Sequence, residues 1–216
     1  MREYTPAGRR PRPAGGLVTI DGARIVLPDT ERVRLWMIAD TELWTALQAA
    51  GELRVDPARV WDDYRPHYDW LRGQLTRRIP GYSGDYPWWS WATPKPDLRV
   101  RSMYHAWTAG SAQIRLTLDV PTAEILAFDF QEWGCITLND GYLSVSEAED
   151  AAWDALPAAV RTRAALEASW ERLFIPDRPI DPEWGGTPNY VQAVFETLRL
   201  ADVARVKPFA ARPPAR

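Results

Sequence analysis

The chain has little of the two residue types that most often bind metals. It contains one cysteine, Cys135, and two histidines, His67 and His105, in 216 residues. A single cysteine excludes an intramolecular disulfide, and the two histidines are too far apart to form a helical ligand pair. Cys135 stands among apolar residues, which is typical of an unreactive buried thiol. No metal site is therefore predicted, and a magnesium site made of carboxylates alone is an alternative that no motif locates.

Long apolar runs and a surplus of positive charge are also absent. No stretch approaches the roughly 18 consecutive apolar residues of a membrane span, and the N-terminal residues lack the apolar segment of a secretory signal. The formal net charge is -3 and the isoelectric point is about 5.5, which argues against a nucleic-acid or anionic-membrane binder. We expect a cytoplasmic protein without a membrane partner. Residues 1–16 contain four arginines and are interpreted as a solvated tail. The alternative is that these arginines contact an anion.

Sequence motifs of catalysis are missing as well. The chain has no Gly-x-Ser-x-Gly nucleophile elbow, no His-Glu-x-x-His zinc motif and no glycine-rich phosphate loop. Acidic pairs such as Asp62-Asp63 stand where helices begin, and there the helix dipole accounts for them. Asp129 ends a predicted strand, where a cap or an ion pair explains it better than general-base chemistry. Whether the protein is an enzyme stays open at this stage.

Tryptophan, in contrast, is abundant, with 12 residues. The densest stretch is YPWWSW at residues 86–91, followed by Lys95 to Arg99. Rings beside Lys and Arg suit a planar or sugar-like ligand with an anionic group, but they also suit core packing or a partner surface. Because side chains alternate along an extended segment, Trp89 and Trp91 should face one way and Trp88 the other.

Local patterns predict an α+β fold with a mixed or antiparallel sheet and packed helices in a single domain. Asp21-Gly22 between apolar runs predicts a hairpin, and Asp40 and Gly51 are expected to begin and end a helix. Further predicted elements are a strand at 33–38, a helical stripe at 64–79, an extended piece at 88–92, strands at 113–118 and 124–130, helices from Ser146 and around Leu166–Phe174, and extended segments at 190–200 and 203–209. The predicted organisation is a disordered arm at 1–16, a hairpin extension at 17–30, the domain at 31–209 and a frayed tail at 210–216.

Many short motifs, in this order, are similar to the bacterial family called domain of unknown function 3841. The similarity runs from about Val33 to Phe209. Its motifs are Arg34-Leu35-Trp36-Met37-Ile38, Leu43-Trp44, Tyr68-Asp69-Trp70-Leu71, Tyr86-Pro87-x-Trp89-x-Trp91, Lys95-Pro96-Asp97-Leu98-Arg99, Asp129-Phe130, Ser169-Trp170-Glu171-Arg172-Leu173-Phe174 and Val191-Gln192-Ala193. This resemblance implies no established activity.

A second, fold-level similarity is to ADP-ribosyltransferase-like domains. The first strand of this chain and the helix after it, which ends in glycine, resemble the beginning of those domains. Val191 to Glu196 resembles the late strand on which those domains carry a glutamate. This resemblance implies NAD as a cofactor, Glu196 as the catalytic carboxylate and an arginine on the pyrophosphate. Met37 departs from the pattern, because many of those enzymes have histidine in the first strand. The residues assigned to ligand binding are Arg34, Trp36, Trp89, Trp91 and Arg99.

The sequence thus leaves three interpretations open. The first is an enzyme or binder acting on a nucleotide-like small molecule in a Trp-rich cleft. The second is a non-catalytic protein-interaction module that uses exposed aromatic rings. The third assigns the rings to the core and leaves the function elsewhere.

Overall fold

A computed structural model describes residues 14–22, 24–92, 110–175, 180–181, 183–184, 188 and 190–210. In that part of the chain a six-stranded antiparallel sheet combines with five α-helices, which confirms the predicted α+β fold. The strands are β1 Thr19–Asp21, β2 Arg24–Val26, β3 Arg32–Asp40, β4 Glu52–Leu53, β5 Trp88–Trp91, β6 Ala112–Pro121, β7 Leu126–Asp129, β8 Val191–Phe195, β9 Leu198–Arg199 and β10 Val203–Ala210. The helices are α1 Thr41–Ala50, α2 Arg65–Arg78, α3 Phe130–Asn139, α4 Glu147–Asp154 and α5 Arg163–Trp170, which continues into a 3₁₀ turn at Glu171–Phe174. Among these, no helix is both long and apolar enough to cross a bilayer.

The sheet has the strand order β10-β6-β3-β5-β8-β7, and β1-β2 and β4-β9 form two small additional ladders. Each face of the large sheet covers a separate core. The first core contains Leu35, Met37, Leu116 and Leu118 and includes Leu47 of α1. The second lies over β5, β8 and β7 and is closed by α2, α3 and α5.

The predicted hairpin at Asp21-Gly22 is confirmed, with β1 paired to β2 from Thr19↔Val26 to Asp21↔Arg24. Gly22 has φ +59°, a conformation that glycine adopts without steric cost. Just before the hairpin, Gly16 accepts a hydrogen bond from the Arg34 amide at 2.8 Å. The chain around Gly16 is therefore fastened to β3. The boundaries predicted for the arm, extension and tail remain predictions.

Replacing Gly15 or Gly73 with alanine is expected to change the stability in opposite directions. A Cβ on Gly15 would lie 2.6 Å from Asp119 Oδ1 and 2.8 Å from the Arg34 amide nitrogen, whereas a Cβ on Gly73, in α2, would meet open space. Gly15→Ala is expected to lower the free energy of unfolding by about 1–3 kcal/mol because the contact forces a backbone shift. Gly73→Ala should raise it by about 0.5–1 kcal/mol, since alanine is the better helix former. Urea denaturation of both variants checks this, and equal effects would contradict the close approach of Gly15.

The predicted caps of α1 are confirmed. The Leu43 amide donates to Asp40 Oδ1 at 2.7 Å, and the amide of Gly51, with φ +79°, donates to the Leu47 carbonyl. Ser146 also caps α4 as predicted, accepting from the Glu149 amide at 3.2 Å. The returning carboxylate of Glu149 accepts from the Val145 amide at 2.8 Å, one residue before the position expected in a capping box.

Helix α3 was not predicted. The sequence pattern indicated a short strand running into the region of Trp133, but the strand ends at Asp129 and the chain turns helical at once. Asp129 caps this helix by accepting from the Gln131 amide at 2.6 Å. Gly134 and the β-branched Ile136 weaken the local helical preference, so burial of Trp133 and Ile136 in the second core accounts for the helix.

The alternation predicted for the WWSW stretch is confirmed. Trp88 packs against the first core and donates its indole N–H to the Leu53 carbonyl at 3.0 Å. Trp89 packs against the second core, with its ring centroid 5.3 Å from that of Trp133 and 5.8 Å from that of Phe128. Strand β5 is therefore central, and both of its faces carry tryptophans.

Candidate functional site

Six side chains from six strands lie in a line across one face of the sheet. Their register pairs are Arg205↔Thr117, Thr117↔Trp36, Trp36↔Trp91, Trp91↔Gln192 and Gln192↔Phe128. Directly opposite residues of antiparallel strands point to the same face, with Cα atoms about 4.5–5.5 Å apart. We call this line the central row. It brings together residues that are more than 150 positions apart in sequence, as Trp36 and Gln192 show.

The middle of the central row is half-buried. Phe128 is fully buried in the second core and Arg205 is exposed, while Trp36, Trp91 and Gln192 lie between these extremes. The row thus runs from the closed side of the sheet, under α2 and α3, to the edge strand β10. The side chains of its three central members, Trp36, Trp91 and Gln192, are partly buried and partly exposed to solvent.

More aromatic rings extend the row beside Trp91. The ring of Phe130, the first residue of α3, is edge-on to Trp91 with centroids 5.3 Å apart, and the Tyr190 ring is 6.5 Å from it. Phe130 is 40% exposed and Tyr190 is 38% exposed. Trp91 therefore lies next to an accessible aromatic surface formed with Phe130 and Tyr190.

Positive side chains surround Trp36 on the same face. Arg34 lies two residues before Trp36, Arg115 lies two before Thr117, and Lys207 is paired with Arg115 in the ladder. With Arg205, this makes four cationic side chains on three adjacent strands. Arg34 is held by a bidentate pair with Asp119, with Nε–Oδ1 at 2.9 Å and Nη2–Oδ2 at 3.0 Å. We call Arg34, Arg115, Arg205 and Lys207 the cationic group.

Gln192 is the polar member of a strand that is otherwise apolar. Its neighbours Val191, Ala193, Val194 and Phe195 are all buried. Its Oε1 is buried and has no hydrogen-bond partner among the residues that the structure describes. Such an atom loses its hydrogen bond to water without replacement, at a cost of about 1–3 kcal/mol.

Trp89 has a similar unpartnered atom. Its indole Nε1 is buried and has no acceptor in the described part of the chain, although most buried indole N–H groups have one. Trp89 is a diagonal neighbour of Gln192, because Trp89 pairs with Val194 and Trp91 with Gln192. Its surroundings are apolar, and burial raises the pKa of the adjacent Tyr68 to about 12. The ligand-contact role assigned to Trp89 stays a prediction.

Glu196 lies away from the central row. It follows β8, four residues beyond Gln192, which corresponds to about 13 Å along an extended chain. Its Oε1 accepts from the Ser83 amide at 2.7 Å and from the Ser83 hydroxyl at 2.6 Å, and Arg54 Nη1 is 3.5 Å away. Glu196 lines a small cavity of about 150 Å³ with Tyr82, Glu124 and Arg199.

The structure therefore brings three of the predicted site residues together, namely Arg34, Trp36 and Trp91. Trp89 points to the same face of β5 as Trp91 but packs against the second core, and Glu196 follows the other end of β8. Arg99 and the rest of the Lys95–Arg99 segment lie outside the described residues. A larger cavity of about 370 Å³ lies elsewhere, between β2, the edge strand β7 and the turn after α5.

Three candidate binding residues could not be assigned to a site from the sequence alone. Gln192 was noted only within a motif, and Phe130 and Tyr190 were not assigned to a site. A polar side chain inside the buried run Val191–Phe195 is the signal that could have indicated Gln192. For the two rings no such signal exists, because their closeness to Trp91 depends on the unpredicted start of α3 and on the pairing of β8 with β5.

The comparison with known protein families extends over most of this architecture. A family model described as Domain of unknown function (DUF3841) matches residues 34–203. The chain belongs to this family. The matched segment includes Trp36, Trp91 and Gln192, so the half-buried middle of the central row is part of the family's domain. No curated protein and no solved structure matches the chain significantly.

Proposed function

We propose that the central row binds a nucleotide-type ligand. The observation that carries the proposal is the direct pairing of Trp36 with Trp91 on a face that also holds the cationic group. A planar base has two indole rings against which to stack, and Arg34 lies on the strand of Trp36, while Arg115 and Lys207 lie one and two strands away from it. An aromatic platform beside arginine and lysine donors is the combination that binds a base together with its phosphate.

The finer form of the proposal is an NAD-related activity. The resemblance to ADP-ribosyltransferase-like domains supports it. That resemblance begins at β3 and ends at β8, and both of these strands are neighbours of β5. Glu196 would then be the key carboxylate. Its distance from the row and its hydrogen bonds to Ser83 favour binding over transfer as the function that the geometry supports best.

Titration of the protein with ADP-ribose, NAD and AMP tests the proposal by calorimetry. Trp91→Ala is expected to weaken binding by about 1–3 kcal/mol, or roughly 5- to 150-fold, because one stacking platform is lost. Trp91→Phe should retain most of the affinity, since a ring remains.

The matched control is Trp61→Ala, which removes a tryptophan that is 74% exposed and belongs to neither core cluster. It should leave the affinity unchanged. Absence of heat with all three ligands, or equal losses for Trp61→Ala and Trp91→Ala, would contradict the proposal. If transfer activity is found, full activity in Glu196→Ala would remove that residue from the mechanism.

A second candidate function is protein interaction through exposed rings. The exposed Trp61 supports it, because its ring lies 6.1 Å from that of Tyr64 on the same surface. Light scattering over a wide concentration range tests self-association through these rings. A mass that rises with concentration and returns to that of a monomer in Trp61→Ala would support this function, and a constant monomer mass would count against self-association.

A further inference from the structure

The side-chain amide of Gln192 has hydrogen-bonding capacity that the folded protein does not use. This amide offers one acceptor and two donors, yet Oε1 is buried and none of the described residues is its partner. An apolar residue at this position would match the other side chains of β8 and avoid that cost. A buried polar atom that remains unsatisfied in the folded protein calls for another role, and ligand binding supplies one.

The position of the amide is defined by the ladder. Gln192 is directly opposite Trp91, so their Cα atoms are about 4.5–5.5 Å apart and their side chains share one face. A planar ring that stacks on the Trp91 indole therefore has one of its edges next to the Gln192 amide. On the other side of Trp91 is Trp36, which carries no hydrogen-bond acceptor. Of the three half-buried residues Trp36, Trp91 and Gln192, Gln192 is the one that can both donate a hydrogen bond to such an edge and accept one from it.

We propose that Gln192 selects ligands whose ring carries an amino or carboxamide N–H group next to an acceptor. This inference rests on the proposed nucleotide binding at the central row. A glutamine amide forms two hydrogen bonds with such an edge, as it does with N6 and N7 of adenine. The carboxamide of nicotinamide offers the same pair of groups. On the edge that carries N7, hypoxanthine presents O6 in place of the amino donor, and nicotinic acid presents a carboxylate in place of the amide, so at that edge both leave Oε1 unsatisfied.

The alternative use of the amide is structural. The indole N–H of Trp89 also has no partner within the described ranges and lies diagonally across from Gln192, so a rotation of the amide could pair the two groups. In that case removing either group would lower stability in the same way, and ligand selection would not depend on Gln192. Trp89→Phe, which removes the N–H and keeps a ring, separates the two roles.

Calorimetry with two matched ligand pairs tests the inference. The pairs are AMP with IMP, and nicotinamide mononucleotide with nicotinic acid mononucleotide. The wild-type protein is expected to bind the amino or amide member of at least one pair about tenfold or more tightly, as a hydrogen bond to a buried group provides. Gln192→Met, which has similar length and no amide, should reduce that preference to within about threefold. The pair that shows the preference identifies the ring as adenine or nicotinamide.

Controls distinguish the possible failures. Gln113→Leu removes a half-buried glutamine of the same face whose Nε2 donates to Ser111, and the preference should persist in it. If Gln192→Met does not fold, Gln192→Leu replaces it, and Trp89→Phe must keep the preference in either case. Equal binding of both members by the wild type, or a preference that survives in Gln192→Met, overturns this inference alone. No binding of any nucleotide overturns the proposed function and this inference with it.

Discussion

Replacing Trp89 with alanine is expected to lower the free energy of unfolding by about 3–5 kcal/mol, the range for removal of a large ring from a core. Trp89 has aromatic neighbours on three elements, namely Tyr68 of α2, Phe128 of β7 and Trp133 of α3. Its loss would leave a cavity at the point where these elements meet, and rings on separate elements cannot all move in to fill it. Urea denaturation followed by circular dichroism measures the change.

Two controls isolate the packing contribution of Trp89. Trp89→Phe keeps a ring and removes an N–H for which the described residues supply no acceptor, so it should cost much less than Trp89→Ala. Trp61→Ala removes an indole that is 74% exposed and should change the free energy by no more than about 0.5 kcal/mol. A loss below about 1 kcal/mol for Trp89→Ala would contradict its place in the second core and would favour a surface or pocket role.

Replacing Arg34 with methionine is expected to cost about 2–4 kcal/mol of folding free energy. Asp119 is only 7% exposed, and both of its carboxylate oxygens accept from the Arg34 guanidinium. Without Arg34 the buried Asp119 side chain loses the partner that offsets its desolvation. Thermal and urea denaturation at neutral pH measure the loss.

The double variant Arg34→Met with Asp119→Leu is the decisive comparison for this pair. It removes the unpaired charge that Arg34→Met leaves behind, so it should recover at least half of the lost stability, because apolar side chains often replace a buried ion pair with little cost. Arg34→Lys should fall between the wild type and Arg34→Met, since lysine retains the charge but not the planar pair of donors. If the two single losses simply add in the double variant, Arg34 and Asp119 do not act as a pair.

Much of the secondary structure was predictable because its signals are local. A cap depends on residues within one helical turn, so Asp40 and Gly51 marked the ends of α1, and Ser146 marked the start of α4. The same holds for Gly22 in the hairpin and for the opposite faces of Trp88 and Trp89. Helix α3 was missed because its residues have weak helical preference and its stability depends on burial of Trp133 and Ile136.

The candidate site was only partly predictable, because it depends on which strands become neighbours. The aromatic stretch and Arg34 could be identified as candidate binding residues from the sequence, but not the position of Gln192 beside Trp91. Strand alternation assigns a side chain to one face of a sheet and says nothing about the strand next to it. In the order β3-β5-β8, Trp88 of β5 packs against the first core and Trp89 against the second, and these cores are formed by residues from distant parts of the chain.

By itself, the sequence therefore determined the class of fold, the family and most element boundaries, since these follow from composition, motifs and short-range hydrogen bonds. Only the tertiary structure decided that Trp36, Trp91 and Gln192 form one row and that Glu196 lies at the far end of the same strand. The physical reason is that strand register is selected by burial on both sheet faces together, a property of the packed chain that no local segment contains.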